Sequence, residues 1–521
     1  MSVPFVSVDG VSLRYRPHGE VEGTLAVQDL TMSVDQGEFV AVVGPSGCGK
    51  STLMKLATGL QFPTEGSVRI KGDAVSGPVS IAGMAFQNPV MLPWRSTAAN
   101  VLLPMEIVEP HRRSIRSQRK DYLAKAEALL ASVGLEGAGD KFPWQLSGGM
   151  QQRASLCRAL IHEPELLMLD EPFGALDAFT REELWCVIRD LQAEKRFTTV
   201  LVTHDLREAV FLADRILVMS ARPGRILVDR KVELERPASS RLCTKARSPI
   251  SFTSCVGISP RRGNNPVRIN WVKAAPWVCT IGLFAIWEAA CWILDIAPYV
   301  LPPPSLIVEA SLEFSNALWK NSIQTLWTTL AGFGIAVVFG LALGLFVGWD
   351  RTIYAGLYPL MVGFNSIPKV AVVPILVIWF GSGWIPAVLT AFLISFFPIV
   401  VNVATGLATI EPEMEDVLRA LGAKKLDIMT KVGIPRSLPY FFGSLKIAIT
   451  LAFIGSVLSE TQAANNGLGH MMLTAQANFE VPLVFACLVA LAIEGIGMYA
   501  IMAWLEMRMT GWAHRSGFAA T

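Results

Sequence analysis

Two hydrophobic patterns divide this chain. Up to about residue 236 the apolar runs are short and separated by charged and turn-forming residues. From Trp277 onward they are long and nearly free of charge. In the first part, Val6-Ser7-Val8 and Ser12-Leu13-Arg14-Tyr15 read as strands separated by the turn Asp9-Gly10, and a further β stretch covers roughly Leu25 to Val34. Phe39-Val40-Ala41-Val42-Val43, Leu166-Leu167-Met168-Leu169 and Thr199-Val200-Leu201-Val202-Thr203 lack polar alternation, as expected of strands buried on both faces. Gly66 to Ile70 and Gly83 to Phe86 read as two more strands, the latter ending in Gln87. Helical segments fall between them, one stopping at Gly59 and another opening at Leu146-Ser147-Gly148-Gly149-Met150-Gln151-Gln152 and running to Leu160. Strands alternating with helices predict an α/β domain with a parallel sheet.

Chemistry collects where these strands end. The run Gly44-Pro45-Ser46-Gly47-Cys48-Gly49-Lys50-Ser51-Thr52 fits G-x-x-x-x-G-K-[ST] and lies between the Phe39–Val43 strand and a helix start. A glycine-rich turn in that setting aims successive backbone N–H groups at one point, which is a cradle for phosphates. In this motif Lys50 reaches the β- and γ-phosphates and the Ser51 hydroxyl ligates Mg²⁺. Asp170-Glu171 closes one apolar strand, and carboxylates there belong at the ligand-binding edge of an α/β sheet. The paired glycines after Ser147 expose a second set of N–H groups at a helix N-terminus.

Composition sets the bounds. The 521 residues call for more than one domain, and 52% hydrophobic with 17% charged residues is apolar for a soluble chain. A net charge of +2 gives no reason to expect a nucleic-acid partner. The eight cysteines form no C-x-x-C pair and no zinc spacing, and read as reduced thiols. Met1-Ser2-Val3-Pro4 shows no basic region followed by an apolar one, so no signal peptide is expected and the first half is placed in the cytoplasm.

Residues 5 to 230 resemble the ATPase subunit of ATP-binding cassette (ABC) transporters. Beyond the phosphate loop, the resemblance rests on the signature peptide at Leu146 to Gln152 and the acidic motif at Leu166 to Glu171. It also rests on the D-loop Gly174-Ala175-Leu176-Asp177 and the switch histidine His204, all in the family's order. The resemblance implies that Tyr15 stacks on adenine and that Ser51, Gln87 and Asp170 serve Mg²⁺. It implies that Glu171 polarises the attacking water, that Gln87 senses the γ-phosphate, and that His204 contacts that phosphate. Singly, each has a plain alternative: Tyr15 as a packed strand aromatic, His204 as a satisfied strand-end histidine, Asp170 as a turn cap. In this family Ser147, Gly148, Gly149 and Gln151 complete the ATP site of a second subunit. One phosphate loop and one signature in this chain therefore imply a homodimer.

Residues 237–276 open with Pro237-Ala238-Ser239-Ser240 after Arg236, carry no acidic residue, and hold helix breakers from Pro260 to Pro266. They read as a basic flexible linker, either beside the lipid surface or as a solvated tether. Beyond it, apolar segments occur near Trp277–Leu294, Leu326–Val347, Leu357–Phe380, Ile385–Leu407, Leu445–Leu458 and Leu483–Leu505, which predicts six bilayer spans. Ser366-Ile367-Pro368-Lys369 interrupts the third, and the fifth is short unless it begins near Tyr440. Six spans return the C-terminus to the cytoplasm. They also place the loop 411–436, with Arg419, Lys424, Lys425, Lys431 and Arg436, on the cytoplasmic side, as the positive-inside rule requires.

That loop carries a second resemblance. Asp416-Val417-Leu418-Arg419-Ala420-Leu421-Gly422, followed by Ile434-Pro435, resembles the EAA coupling loop of ABC importer permeases, with Asp416 in place of the family's Glu. The segment from Leu301 to Trp512 is similar to the nitrate/sulfonate/taurine permeases, and Leu438-Pro439-Tyr440 to Lys446 to relatives taking pyrimidine precursors or riboflavin. Together these imply an α/β P-loop cassette (1–236) followed by an all-α type I importer permease (277–521) of about six helices. They imply ATP and Mg²⁺ as cofactors, a second copy and an extracytoplasmic solute-binding protein as partners, and residence in the inner membrane. An exporter, or a membrane-anchored ATPase that moves no solute, is the alternative. Among ionisable residues in the apolar half, Lys446 and Glu460 are expected to snorkel from span ends. Glu288 and Glu494 either pair between helices or serve translocation.

Overall fold

The computed structural model describes residues 3–15, 23–233 and 271–515. They form two compact units. One contains the described residues up to 233 together with Ile410–Pro435 and residues 512–515; the other contains residues 271–409 and Arg436–Gly511.

In the first unit the elements run β1 (Val6–Tyr15), β2 (Thr24–Val34), β3 (Phe39–Val43), α1 (Lys50–Ala57), β4 (Glu65–Ile70), β5 (Asp73–Ala74), β6 (Ala82–Ala85), α2 (Thr97–Val101), α3 (His111–Ser114) and α4 (Arg119–Ser132). Then follow α5 (Gly148–Leu160), β7 (Leu166–Asp170), α6 (Ala178–Lys195), β8 (Thr198–Thr203), α7 (Leu206–Leu212), β9 (Arg215–Met219) and β10 (Ile226–Lys231). An antiparallel sheet of order β2-β1-β4-β5 lies beside a six-stranded sheet of order β10-β9-β3-β8-β7-β6, parallel except at β10. Every residue of β3, β7 and β8 is buried, which is what their uninterrupted apolar sequences require. The expected break at Asp9-Gly10 is instead an irregularity within one strand: Gly10 takes φ +57° and the β1–β2 register shifts between Val8 and Val11. Register aligns the strand ends, with Val43 opposite Thr203 and Asp170 opposite Val202. The phosphate loop, the Asp170-Glu171 pair and His204 therefore leave the sheet along one edge.

The second unit is helical: α8 (Trp271–Ile293), α9 (Pro304–Glu313), α10 (Ser315–Gly348), α11 (Arg351–Asn365), α12 (Val373–Phe380) and α13 (Trp384–Ala408). Next come α14 (Pro412–Ala420) and α15 (Lys425–Ile428), which belong to the first unit, then α16 (Ile434–Ala463), α17 (Leu468–Ala477), α18 (Val481–Met509) and α19 (Gly511–Arg515). Among the described residues four segments are long and apolar enough to cross a bilayer: Ser315–Gly348, Trp384–Ala408, Lys425–Gln462 and Val481–Met509. A fifth exists if the pair 352–365 and 369–380 counts as one; it bends by 72° at the Ser366–Lys369 interruption. The first expected span lies within α8 (Trp271–Ile293, 23 residues), of which Val278–Ile293 is an apolar stretch. Helix α8 starts at Trp271, inside the segment expected to be linker, and residues 237–270 of that linker lie outside the described residues.

Close packing of α10 on α13 rests on small residues four apart. A Cβ on Gly340 would stand 2.9 Å from Ile399 Cβ, and one on Gly344 would stand 2.8 Å from Val403 Cβ. Lipid supplies no hydrophobic drive between spans, so close backbone approach of this kind holds them together. The ionisable residues are not at free span ends, which corrects the snorkelling expectation. Glu460 is 1% exposed and accepts hydrogen bonds from Thr325 Oγ1 (2.8 Å), Thr328 Oγ1 (3.3 Å) and the Gly469 amide (3.1 Å). Lys446 pairs with Glu506 at 2.6 Å. Glu288 is held by Trp292 and by both the amide and the hydroxyl of Ser305. Cys186, expected to be reduced, is disulfide-bonded; Cys48, Cys157, Cys279, Cys291 and Cys487 are free.

Candidate functional site

The phosphate loop turns on glycines that other residues cannot replace. Gly49 takes φ +100°, and a Cβ there would lie 2.7 Å from Val27 Cγ1. The loop then delivers Lys50 as the first residue of α1, where its buried Nζ donates to the carbonyls of Gly44 (2.9 Å) and Pro45 (3.0 Å). A cation thus sits at the mouth of a turn whose amides face the same space. Tyr15 ends β1 half exposed, with its hydroxyl 3.4 Å from Thr52 Oγ1.

Along the same edge, burial pushes the Asp170 carboxyl up. The Ser51 hydroxyl bonded to it opposes that rise and the neighbouring Glu171 charge adds to it. Glu171 follows at φ +44°, an uncommon conformation outside glycine, fixed by its amide bonding Val202 O at 2.9 Å. One carboxylate oxygen of Glu171 collects Gln87 Nε2 at 3.2 Å and His204 Nδ1 at 3.2 Å. Gln87, Glu171 and His204 thus come together from three separate strand ends, and the His204 side chain remains 65% exposed.

The signature peptide stands apart from this cluster. Ser147 caps α5 by accepting from the Met150 amide, Gly148 is exposed, and Gln151 donates to Pro143 O at 2.9 Å. Among the described residues no hydrogen bond joins it to the phosphate loop or to Glu171. Asp177 caps α6 through the Thr180 amide (3.1 Å), and that bond holds its carboxyl below the usual range.

Several residues here were not legible as functional. The Arg158 guanidinium is buried and donates to Val90 O (2.7 Å) and Pro89 O (3.2 Å), so the signature helix grips the segment following Gln87; burial pulls its pKa down to about 10. Glu208 receives Thr203 Oγ1 at 2.6 Å, and burial pushes it up to about 7. An arginine inside an amphipathic helix gives no sign in sequence that its target is a carbonyl pair in a distant loop.

The loop 410–435 seats on this unit. Pro412 starts α14, Glu413 and Glu415 lie in its first turn and Arg419 in its last, matching the helix dipole, and Gly422 at φ +77° ends it. Val417, Leu418, Leu421, Ile428 and Val432 join the core that contains Phe86, Leu92, Leu103 and Ile107. Asp416 meets Lys55 of α1 at 2.8 Å, one turn beyond Lys50. The loop closes at Ile434-Pro435, where α16 begins.

Residues 27–174 match the ABC transporter family, and residues 336–511 match the binding-protein-dependent transport system inner membrane component. The chain is 44% identical over 216 residues to the aliphatic sulfonates import ATP-binding protein of Bacillus licheniformis, covering 42% of this chain and 81% of that protein. The chain belongs to the ABC transporter family. It is also 40% identical over 217 residues to the taurine import ATP-binding protein of Escherichia coli K12, covering 42% of this chain and 81% of that protein. A solved ATP-binding cassette dimer bound to ADP and phosphate aligns at 30% identity and a TM-score of 0.40, covering 44% of this chain and all of that one. This ABC transporter carries its ATPase and its permease in one chain. It is a multi-pass membrane protein whose cytoplasmic cassette binds and hydrolyses ATP to drive transport through a binding-protein-dependent permease.

Proposed function

We propose that this ABC transporter imports a small sulfonate- or taurine-like anion delivered by a separate extracytoplasmic binding protein, and that it works as a homodimer. The carrying observation is the Glu171 carboxylate beside Gln87 and His204, on the edge that also carries the phosphate loop. Phosphoryl transfer asks a protein mainly for positioning and charge stabilisation, and this cluster supplies both.

In this reading Tyr15 stacks on adenine, and the amides of Gly44 to Thr52 with Lys50 hold the phosphates. Ser51, Asp170 and Gln87 would hold Mg²⁺. A hydroxyl, a carboxylate and an amide oxygen suit a hard cation that keeps waters and phosphate oxygens as its other ligands. When bound, the ion neutralises charge on the phosphate oxygens. Glu171 orients and polarises the attacking water, Gln87 and His204 contact the γ-phosphate side, and Asp177 faces the second copy. Ser147, Gly148, Gly149 and Gln151 complete the site of that copy; the exposure of Ser147 and Gly148 on their own cassette supports this. Closure reaches the permease through Asp416 and the turn at Gly422, with Pro435 fixing the start of the following span. The sulfonate class rests on the relatives of the ATPase half.

Proteoliposomes containing the full chain test the reading, with taurine and methanesulfonate as probes and a solute-binding protein from the same organism. Uptake that requires both ATP and the binding protein is expected. ATP turnover with neither solute moving would contradict it.

A further inference from the structure

The contact between the 410–435 loop and the cassette carries charges of alternating polarity, and they lie where a helical slip would put like on like. Asp427 is nearly buried and receives both Arg112 guanidinium nitrogens, at 3.1 and 2.9 Å. Four residues on, Lys431 pairs with Glu106, which Arg95 already holds through two bonds of 2.8 and 3.1 Å. Burial works against the Glu106 charge, but Arg95 and Lys431 outweigh it and keep the carboxyl below its usual range. The loop thus presents an acid and then a base one turn later, facing a base and then an acid on the cassette. Lys431 itself lies within a π-helical turn, Met429–Gly433.

Apolar burial supplies the adhesion here. Each fully buried Leu or Ile contributes more to adhesion than a partly exposed ion pair does. An apolar helix in an apolar groove is tolerant of sliding, however, and one-turn shifts are a known mode of movement between packed elements. A shift of one turn would set Lys431 against Arg112. Repulsion of that kind discriminates between arrangements even where attraction adds little affinity.

We propose that Asp427–Arg112 and Lys431–Glu106 are positioning residues that fix the register of the coupling loop on its cassette, so that closure of the nucleotide edge moves the permease by a defined step. Arg95 ties that register to the segment after Gln87, and Asp416–Lys55 ties the other end of the loop to α1. The inference concerns a contact within this chain and stands whichever solute is carried.

The test uses the full chain in liposomes and reads hydrogen exchange of residues 412–433, which requires no solute. Asp427 also caps its own helix by accepting from the Lys424 amide, so the informative comparison is D427K against D427A, both of which lose the cap. D427K is expected to exchange about tenfold faster than D427A, and adding R112E to D427K is expected to return exchange to the D427A level or below. K431D is expected to exceed K431A in the same way. Rescue by R112E is something a misfolded loop cannot give. Equal exchange in D427K and D427A, or failure of R112E to restore protection, would overturn the proposal.

Discussion

The two halves of this ABC transporter treat their carboxylates in opposite ways. At the cassette edge Glu171 stands at a strained φ, shares one oxygen between Gln87 and His204, and faces a histidine that is largely exposed. In the membrane half Glu460 is fully buried and receives two hydroxyls and a backbone amide. A carboxylate with few partners at an open edge is available for chemistry; one fully hydrogen-bonded in an apolar interior fastens helices. The difference separates reaction from architecture without reference to residue type, because both groups are glutamates.

The largest expected effect breaks the first side of this contrast. Glu171→Gln should lower ATP turnover by roughly 10²–10⁴-fold while ATP binding persists, as expected when a group that handles a proton is lost; phosphate release and binding of a fluorescent ATP analogue check it. Next in size, Glu460→Ala should leave ATP binding intact yet destabilise the membrane half, at about 1–3 kcal/mol per orphaned donor, visible as a lower unfolding temperature in detergent. Glu460→Gln keeps an acceptor and should cost less. A smaller effect is expected at the coupling loop. Asp416→Ala removes an ion pair worth about 0–1 kcal/mol, so the loop stays bound while solute moved per ATP falls. The smallest is a pH effect. Glu208 titrates near 7 in the fold and about 4.3 when unfolded, so the folded state holds the extra proton between these values. Stability should therefore fall as pH rises from about 4.3 to about 7, and Glu208→Gln should flatten that slope.

What the sequence made legible follows from physical range. The phosphate loop, Asp170-Glu171 and His204 were readable because each stands at the end of an uninterrupted apolar strand, and parallel register then brings them to one edge. The loop around Gly422 was readable because a helix, a left-handed glycine and a second helix are local features. Arg158 reaching Pro89 and Val90, Lys55 reaching Asp416 and Arg112 reaching Asp427 were not, since each joins segments far apart in the chain. A window average registers the apolar run at Leu357–Phe380 but not its 72° bend. Nor can an average distinguish a snorkelling Glu460 from one held by Thr325 and Thr328 three turns into another helix.

In the proposed homodimer the cassette edge is half of a site, completed by the signature peptide of the second copy. Mixing two inactive chains tests it most directly: Glu171→Gln, defective in its own half, and Gly148→Asp, defective in the signature. In a mixed dimer one shared site carries both defects and the other carries neither. ATP hydrolysis is expected to return on mixing, toward half the wild-type rate per mixed dimer if sites act independently. No recovery at any mixing ratio, with mixed dimers shown to form, would contradict it.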